Sequence, residues 1–421
     1  MNVWIVQMGE PIHLDSEGFR PMRLMNLADS LTEQGHEVTV WTNNFDHFSK
    51  KHRVEGSSSP EIQFSPKLQF KLIRSLGYHK NISLRRLLDH IELAIRLSVE
   101  IRKVPLPDVC FIGYPPIETA FVVAKYLKKK RVPFAVDVKD DWPEIFVRPF
   151  PKFLHWLIRI HLFLPFRMMR FVIKETNALY APSENFLHHF QEISGRSYQR
   201  NDCVVPLTVK RPNLPLAELK KQVDWWTSFG VPTQNKIVIS FIGSLTDIFD
   251  FEPLLDLADY PDVYVVIAGD GPLYAHLKIR IDGKTNILLP GRISHSQAVS
   301  LFQLSAASCL PYRDLSDFNS NLPNKFFDCL ANGNPIICSD YGLVSEKVRK
   351  FNLGFIYSAK EDRALVKIIE MIKINPKILH QFSENAEMLY ENSYSNTIVY
   401  GDLVRNLVYL ANSRDLPIES N

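Results

Sequence analysis

The stretch of sequence richest in chemistry is Leu322-Pro323-Asn324-Lys325-Phe326-Phe327-Asp328, which continues through Ala331, Gly333 and Pro335 to Ser339. Proline suits the entry to a helix and glycine suits its end, so the pattern predicts a helix from Lys325 to Ala331. The first turn of a helix offers unpaired backbone N–H groups and a partial positive charge to an anion. Lys325 falls in that turn, and Asp328 falls one turn on, on the same face. A cation beside a carboxylate at a helix start suits a nucleotide sugar. The lysine would meet a diphosphate and the carboxylate a pair of ribose hydroxyls. The plain alternative is an ion pair on a solvated helix, and spacing alone leaves both open.

A second candidate pair, Lys139 and Asp140, directly follows the apolar run Phe134–Val138. If that run is a strand, both residues sit on the rim of a sheet. Lys139 there is a cation facing a cleft, and Asp140 could bind sugar hydroxyls or accept a proton from an acceptor. The alternative is that Asp140 and Asp141 cap the next helix. Glu10, Gly18 and Arg20 lie in the loop after the first apolar run, where the start of the first helix could face phosphate. Arg20 and Arg23 read equally well as surface cations.

Strands and helices must alternate to place these residues. Val3–Met8, Glu37–Thr42, Val109–Ile112, Phe134–Val138, Ala178–Ala181 and Cys203–Val205 read as buried parallel strands. Helical patterns separate them near 22–31, 84–103, 117–130 and 184–191, with Gly35 closing the first. Pro206, Pro212 and Pro215, with basic residues between them, have a linker composition. Beyond them the alternation restarts with Lys236–Ile242, Val263–Ala268, Asn286–Leu289, Ala306–Leu310 and Pro335–Cys338. Helices are expected near 251–258, 296–304, 325–331, 343–349 and 362–374, and at the end of the chain near 376–390 and 397–411. The expectation is an α/β protein of two Rossmann-like doubly wound domains facing across a cleft. Ligands of such sheets bind at the carboxyl ends of the strands. The predicted division is 1–205, 206–395 and a final helical segment, 396–421, packing back on the first domain.

Bulk properties exclude little more. Lys and Arg number 49 against 46 Asp and Glu, a net charge of +3, which does not suit a protein that coats nucleic acid. The five cysteines are scattered without a C-x-x-C pair, which predicts reduced thiols rather than a disulfide scaffold or a zinc site. His13, His36, His47 and His52 lack ligand spacing with carboxylates, so no metal is expected. The chain opens on a strand-like segment with no basic and apolar leader pattern, and no run is long enough to span a bilayer.

Taken together, the pattern P-N-K-x-F-D-x-x-A-x-G-x-P-I-I-x-S-D-x-G resembles the family 4 retaining glycosyltransferases of the GT-B fold. It is most similar to the bacterial surface-polysaccharide (WbuB-like) branch. Gly243 in Phe-Ile-Gly-Ser-Leu, Gly269 and Gly271 in Ala-Gly-Asp-Gly-Pro, and Gly291-Arg292 resemble the family's nucleotide-sugar loops. Gly35-His36-Glu37-Val38, the loop Phe45-Asp46-His47 with Lys51 and Arg53, and Asp137-Val138-Lys139-Asp140-Asp141-Trp142-Pro143-Glu144 resemble first-domain segments. The resemblance runs from Met1 to about Tyr390.

The resemblance implies a donor site of Gly18, Gly243, Ser244, Gly269, Gly271, Gly291, Arg292, Ser320, Asn321, Asn324, Lys325 and Asp328. Asp328 matches the ribose-binding second acid of the family's E-x7-E element. The first acid falls at Ser320, which carries no charge, so backbone N–H groups of Asn319–Asn321 would serve instead. The Arg and Lys that follow the first glycine in the wider family are absent from Ser244 to Asp250. Lys325, helped by Arg292, is then the diphosphate clamp. Lys139, Asp140 and Lys325 are the candidate catalytic residues, with no cofactor and no catalytic metal.

One local asymmetry hides in the near-neutral total. No acidic residue occurs from Ile145 to Lys174, a stretch rich in aromatics and cations. Pro165 is expected to break it and restart a helix at Phe166, with Arg167, Arg170 and Lys174 in one stripe. A basic face beside Phe153, Trp156, Phe163 and Phe166 suits the surface of an anionic bilayer, and a core helix with exposed cations is the alternative.

These readings predict transfer of a sugar, with retention, from a nucleotide-diphosphate sugar (a UDP-sugar favoured) to a polyprenyl-diphosphate-linked glycan in O-antigen or capsule synthesis. The acceptor and membrane residues would be Asp46, His47, Trp156, Arg167, Arg170 and Lys174. The expected location is cytoplasmic, on the inner face of the cell membrane, with no nucleic acid as partner. A sugar-nucleotide 2-epimerase of related fold and a non-catalytic sugar-binding or scaffold subunit are the rivals.

Overall fold

A strand covered on both faces has no polar side to show, which is why the short apolar runs of this sequence become buried parallel strands. The structure, a computed structural model, describes all residues except 16–20, 57–58, 82, 316–320, 362 and 414–421. The chain divides into two units. One is Met1–Pro206 with the chain from Val399 onward, and the other is Leu207–Ile398.

The strands of the first unit are β1 (Asn2–Val6), β2 (Glu37–Asn43), β3 (Phe45–Asp46), β4 (Lys51–His52), β5 (Glu61–Ser65), β6 (Leu68–Ile73), β7 (Val109–Tyr114), β8 (Phe134–Val138), β9 (Ala178–Ala181) and β10 (Cys203–Val204). They form one sheet in the order β10-β9-β8-β7-β1-β2-β6-β5, plus the hairpin β3-β4. All sheet neighbours are parallel except β5 against β6. The edge strand β5 and its neighbour β6 were not expected from the sequence. β5 is only partly covered, so it lacks the continuous apolar run that marks a buried strand.

The helices of this unit are α1 (Arg23–Glu33), α2 (Leu84–Glu100), α3 (Ile117–Lys130), α4 (His155–His161), α5 (Phe163–Glu175) and α6 (Glu184–Ser194). α2, α3, α5 and α6 pack on one face of the sheet, where Leu93, Leu97, Val123, Leu127, Met169 and Phe190 are buried together. α1 packs on the other face through Leu24, Leu27 and Leu31. Tyr400, Leu403 and Leu407, from the last helix of the chain, share that core. Gly35 follows α1 with φ +91°, the left-handed position that a helix end reserves for glycine.

The break in the basic stretch falls at Leu162, not at Pro165. Pro165 sits in the first turn of α5, where a missing N–H costs no hydrogen bond. Phe166 packs against the core, and Met169 and Ile173 are buried within it. Phe153, Trp156, Ile160, Phe163 and Leu164 are each at least 60% exposed. Arg23, weighed as a surface cation, is buried at 3% exposure.

The second unit holds α7 (Leu216–Ser228), β11 (Ile237–Ile242), α8 (Glu252–Leu255), β12 (Val263–Ala268), α9 (Tyr274–Arg280), β13 (Ile287–Gly291), α10 (His295–Leu304), β14 (Ala307–Leu310), α11 (Asn324–Ala331), β15 (Ile336–Ser339), α12 (Gly342–Phe351), β16 (Gly354–Tyr357), α13 (Ala364–Ile374) and α14 (Lys377–Leu389). α15 (Asn396–Asn412) then begins here and ends on the first unit. The sheet runs β13-β12-β11-β14-β15-β16, all parallel. The strand order reverses direction between β11 and β14, and in the first unit between β1 and β7. These switch points open a crevice at the carboxyl ends of the strands. α7, α9 and β16 were not expected from the sequence. Among the described residues, no helix is long and apolar enough to cross a membrane.

Candidate functional site

At the switch point of the second unit, β11 ends on Gly243 and the side chain of Lys325 passes directly over it. A Cβ on Gly243 would land on the Lys325 ammonium. The ammonium also lies 5.4 Å from the Phe241 ring and 5.0 Å from the Phe249 ring. Cation–π attraction on both rings holds the charge in place while leaving it a cation. Lys325 is the second residue of α11. Pro323 is the cap residue before that helix, one position earlier than a first-turn proline.

The glycine turns stack on one another. Gly243 N–H donates to the Ala268 carbonyl at 2.9 Å, Gly269 N–H donates to the Gly291 carbonyl at 2.8 Å, and Leu245 N–H donates to the Asp270 carbonyl at 3.0 Å. Gly269, at φ +148°, has no room for a side chain, because a Cβ would occupy the position of the Gly243 carbonyl oxygen. Backbone cannot yield as a flexible side chain would. Gly269→Ala is therefore expected to destabilise the second unit by about 2–3 kcal/mol or more and to abolish nucleotide binding, checked by urea unfolding and titration with UDP.

Asp328 is half-buried one turn after Lys325. Burial first, and then the charge of Asp328, push the Cys329 thiol up to about 12. Burial likewise pushes the Tyr312 hydroxyl up, with Cys329 and Asp328 adding to it. Asn321 and Asn324 stand just before and at the start of α11. Ser244 is exposed on the loop after Gly243. Arg292 is 83% exposed, with its Nε 3.8 Å from Asp270. It thus stands on the rim without being held over the turn as Lys325 is. Gly18 and Ser320, with Arg20 and Asn319, lie outside the described residues.

The rim of the first unit is a buried ion cluster. Lys139 pairs with Glu10 and lies 3.1 Å from Gln7 Oε1 and 3.6 Å from Asp137. Glu10 in turn accepts the Leu24 N–H at 2.8 Å, so it caps the start of α1. Arg23 pairs with Asp137 and donates to the Val205 carbonyl at 2.5 Å. Burial raises the Asp137 carboxyl in spite of Arg23 and Lys139. Lys139 thus joins the loop after β1 to the end of β8, with 16% of its side chain exposed. Asp140 keeps contact with solvent, yet the protein mass around it raises its carboxyl against the pull of Lys139 and Arg86. Neither Asp140 nor Asp141 caps the next helical turn with its side chain. Asp141 is bound instead to Arg148 and His189.

Asp46 organises the β3-β4 turn by accepting the N–H groups of Phe48 and Ser49 at 3.0 and 2.9 Å. His47 Nδ1 is 2.7 Å from the Tyr78 hydroxyl, and burial holds this histidine down at about 4. His90, 6% exposed, is held lower, at about 3, by burial and then by Arg86 and His47. Glu118 is its nearest acid, at 3.9 Å. An unfolded histidine takes a proton near 6.5, so acid favours the unfolded chain from there down to about 3. Stability is expected to fall with pH across that window by up to about 1.4 kcal/mol per pH unit from His90. His90→Gln removes that part of the slope, read by urea unfolding at several pH values. Trp156, Arg167, Arg170 and Lys174 are exposed, well away from this cluster in sequence.

Known proteins agree with this architecture. Sucrose-phosphate synthase from Thermosynechococcus elongatus matches at TM-score 0.68 and 13% identity, over 97% of this chain and 99% of its own. Anabaena HepE, in complex with UDP and glucose, matches at TM-score 0.64 and 12% identity, over 97% and 100%. WaaG, a glycosyltransferase involved in lipopolysaccharide biosynthesis, matches at TM-score 0.62 and 12% identity, over 97% and 99%. This is the GT-B fold. Residues 229–388, most of the second GT-B unit, match the family of glycosyl transferases, group 1. No curated protein sequence matches the chain.

Within the GT-B frame, the sequence reading misses two residues outright and the buried role of a third. Arg313 follows β14 at the switch point, with its Nε 3.2 Å from the Phe249 carbonyl and its Nη2 3.5 Å from Asp250. Phe249 therefore joins Arg313 to Lys325. Thr246 Oγ1 is buried without a hydrogen-bond partner on the loop after Gly243. Arg23 is the third. The position of Arg313 directly after a strand was a usable signal, whereas only the fold brings Thr246 and Arg23 to their sites. Among the described residues, no group of three or more His, Cys, Asp or Glu side chains is gathered as a metal site.

Proposed function

We propose that this protein transfers a sugar, with retention of configuration, from a nucleotide-diphosphate sugar held by the second unit to a glycan acceptor held by the first. The observation that carries the reading is the Lys325 ammonium fixed over Gly243 at the β11–β14 switch point. A diphosphate leaving group gains charge as the glycosidic bond breaks, and a cation already in place stabilises it without reorganisation. Asp328 holds the ribose hydroxyls, and UDP is the favoured nucleotide, as in the HepE complex. The departing phosphate takes the acceptor proton, so no protein base is required, and Lys139 with Asp140 positions the acceptor.

The acceptor in this reading is a polyprenyl-diphosphate-linked glycan of O-antigen or capsule synthesis, met at the inner face of the cell membrane. The support is the exposed set Phe153, Trp156, Ile160, Phe163 and Leu164 beside the exposed cations Arg167, Arg170 and Lys174. Amphipathic surfaces of this composition bind anionic bilayers. Changing the three cations to Glu is expected to release the protein from phosphatidylglycerol vesicles in flotation, and continued binding would refute the contact.

The reaction itself is tested with a panel of UDP-, GDP- and dTDP-sugars, with and without lipid-linked acceptor. Nucleotide release that requires acceptor supports transfer. Interconversion of free nucleotide sugars, or binding without turnover, overturns it in favour of an epimerase or a scaffold.

A further inference from the structure

Lys50 and Arg86 stand over one aromatic ring on the rim of the first sheet. The Lys50 ammonium is 4.8 Å and the Arg86 guanidinium 5.3 Å from the centre of the Tyr78 ring. Arg86 is also 5.3 Å from the Trp142 ring, so two aromatic faces hold it. Asn81 ties both cations down. Its Oδ1 accepts from Lys50 at 2.6 Å, and its backbone carbonyl accepts from Arg86 at 2.7 Å. Among the described residues, neither cation forms an ion pair with a carboxylate. Asp46 accepts the N–H groups of its own turn and acts on Lys50 only through its field, and Asp89 accepts the Gly77 N–H at 2.6 Å. Asp140 acts on Arg86 only through its field.

Two like charges held side by side raise the energy of the empty protein, and a dianion placed between them removes that cost. The backbone carries a second, independent sign. Lys50 sits at φ +58°, in the left-handed region, at the turn between β3 and β4. Glycine or asparagine takes that conformation more cheaply, and strain of this kind gathers at ligand-binding positions. The fold keeps a lysine there, with its ammonium over Tyr78.

We propose that Lys50 and Arg86 form the site for the diphosphate of the acceptor, with the Tyr78 ring as its floor. The proposal rests on the reading of the first unit as the acceptor side. A diphosphate spreads its charge over two phosphorus centres and so meets two separate cations, whereas a sugar carboxylate offers one charge to one fork. His47 Nδ1, 2.7 Å from the Tyr78 hydroxyl, is also 3.5 Å from the Lys50 ammonium and helps to hold that cation in place.

The test is calorimetric titration of inorganic pyrophosphate into the full chain with UDP in excess, so that the rim of the second unit is filled. One site is expected, weakened about tenfold or more by Lys50→Gly and by Arg86→Gln. Glycine fits φ +58°, so Lys50→Gly should melt within a few degrees of the parent and remains informative if Arg86→Gln unfolds. Farnesyl diphosphate in place of pyrophosphate separates a prenyl-linked source, which binds more tightly, from a soluble diphosphate, which does not. Pyrophosphate binding that both folded variants retain, or glucuronate binding where pyrophosphate fails, overturns the proposal. Loss of nucleotide-sugar turnover or UDP binding in the parent, with the Lys50-dependent pyrophosphate site intact, would instead remove the transferase reading alone.

Discussion

Lys325→Ala is expected to lower kcat for sugar transfer by about 10²–10³, with a melting temperature near that of the parent. The size follows from the position of the charge. The ammonium lies against the turn after β11 and faces two aromatic rings, which stand in for part of its hydration. A preorganised cation in such a place acts most strongly on charge that develops in the transition state, worth about 2.7–4 kcal/mol. The loss should therefore fall on kcat more than on KM. Lys325→Arg keeps the charge but brings a broad planar fork where the close approach to Gly243 admits only a slim ammonium chain. Partial activity is expected from it. Gly243→Ala should resemble Lys325→Ala, because the added methyl displaces the ammonium without removing it. Steady-state kinetics with the cognate donor and acceptor, alongside UDP titration, checks all three. If Lys325→Ala turns over at the parent rate, the phosphate assignment is wrong.

Much of this geometry could be read from the sequence, and the reason is physical. Buried parallel strands demand unbroken apolar runs, so Phe134–Val138, Ala178–Ala181 and Val263–Ala268 were legible to the residue. The glycines of the second unit were legible for a related reason. Their spacing marks turns that approach one another too closely for a Cβ. Other features depend on what packs against them. The pair β5-β6 alternates polar with apolar residues, the period-two signal of a half-open strand, which a search for unbroken apolar runs passes over. Pro165 was read as a break because proline interrupts a helix interior, yet the chain places it in a first turn, where it is tolerated. Arg313 and Lys325 lie close in sequence, but what joins them is Phe249, 64 residues before Arg313. The clearest case is Arg23, whose amphipathic helix gives no hint that one of its cations points into the core.

That buried pair leads to the largest expected loss of stability. Arg23 and Asp137 have side-chain exposures of 2% and 0%. Arg23→Ala leaves the Asp137 carboxylate in the core with Lys139 alone, at 3.6 Å, and the cost is expected to be about 3–5 kcal/mol at pH 7. The Val205 carbonyl loses its donor as well. The pH dependence separates this cause from simple loss of packing. Burial already raises the Asp137 pKa, and removal of the larger of its two cationic partners raises it further. A carboxyl whose folded pKa exceeds its unfolded value binds protons preferentially in the folded state. The deficit of Arg23→Ala should therefore shrink as pH falls from 7 toward 5, where protonation discharges the buried group. A packing defect would keep its size. Arg23→Leu with Asp137→Leu removes both charges and should regain most of the stability, because an apolar pair of similar bulk avoids the desolvation cost. Lys139 keeps Glu10 in that double variant, so transfer should persist if Lys139 rather than Asp137 positions the acceptor. The last helix reports on the same cluster. Tyr400 is buried beside Arg23, and α15 is expected to loosen first in Arg23→Ala, seen as faster amide exchange over 399–410. Urea midpoints of Arg23→Ala equal to those of the parent at every pH from about 5 to 7 would mean that the pair carries no weight in the fold.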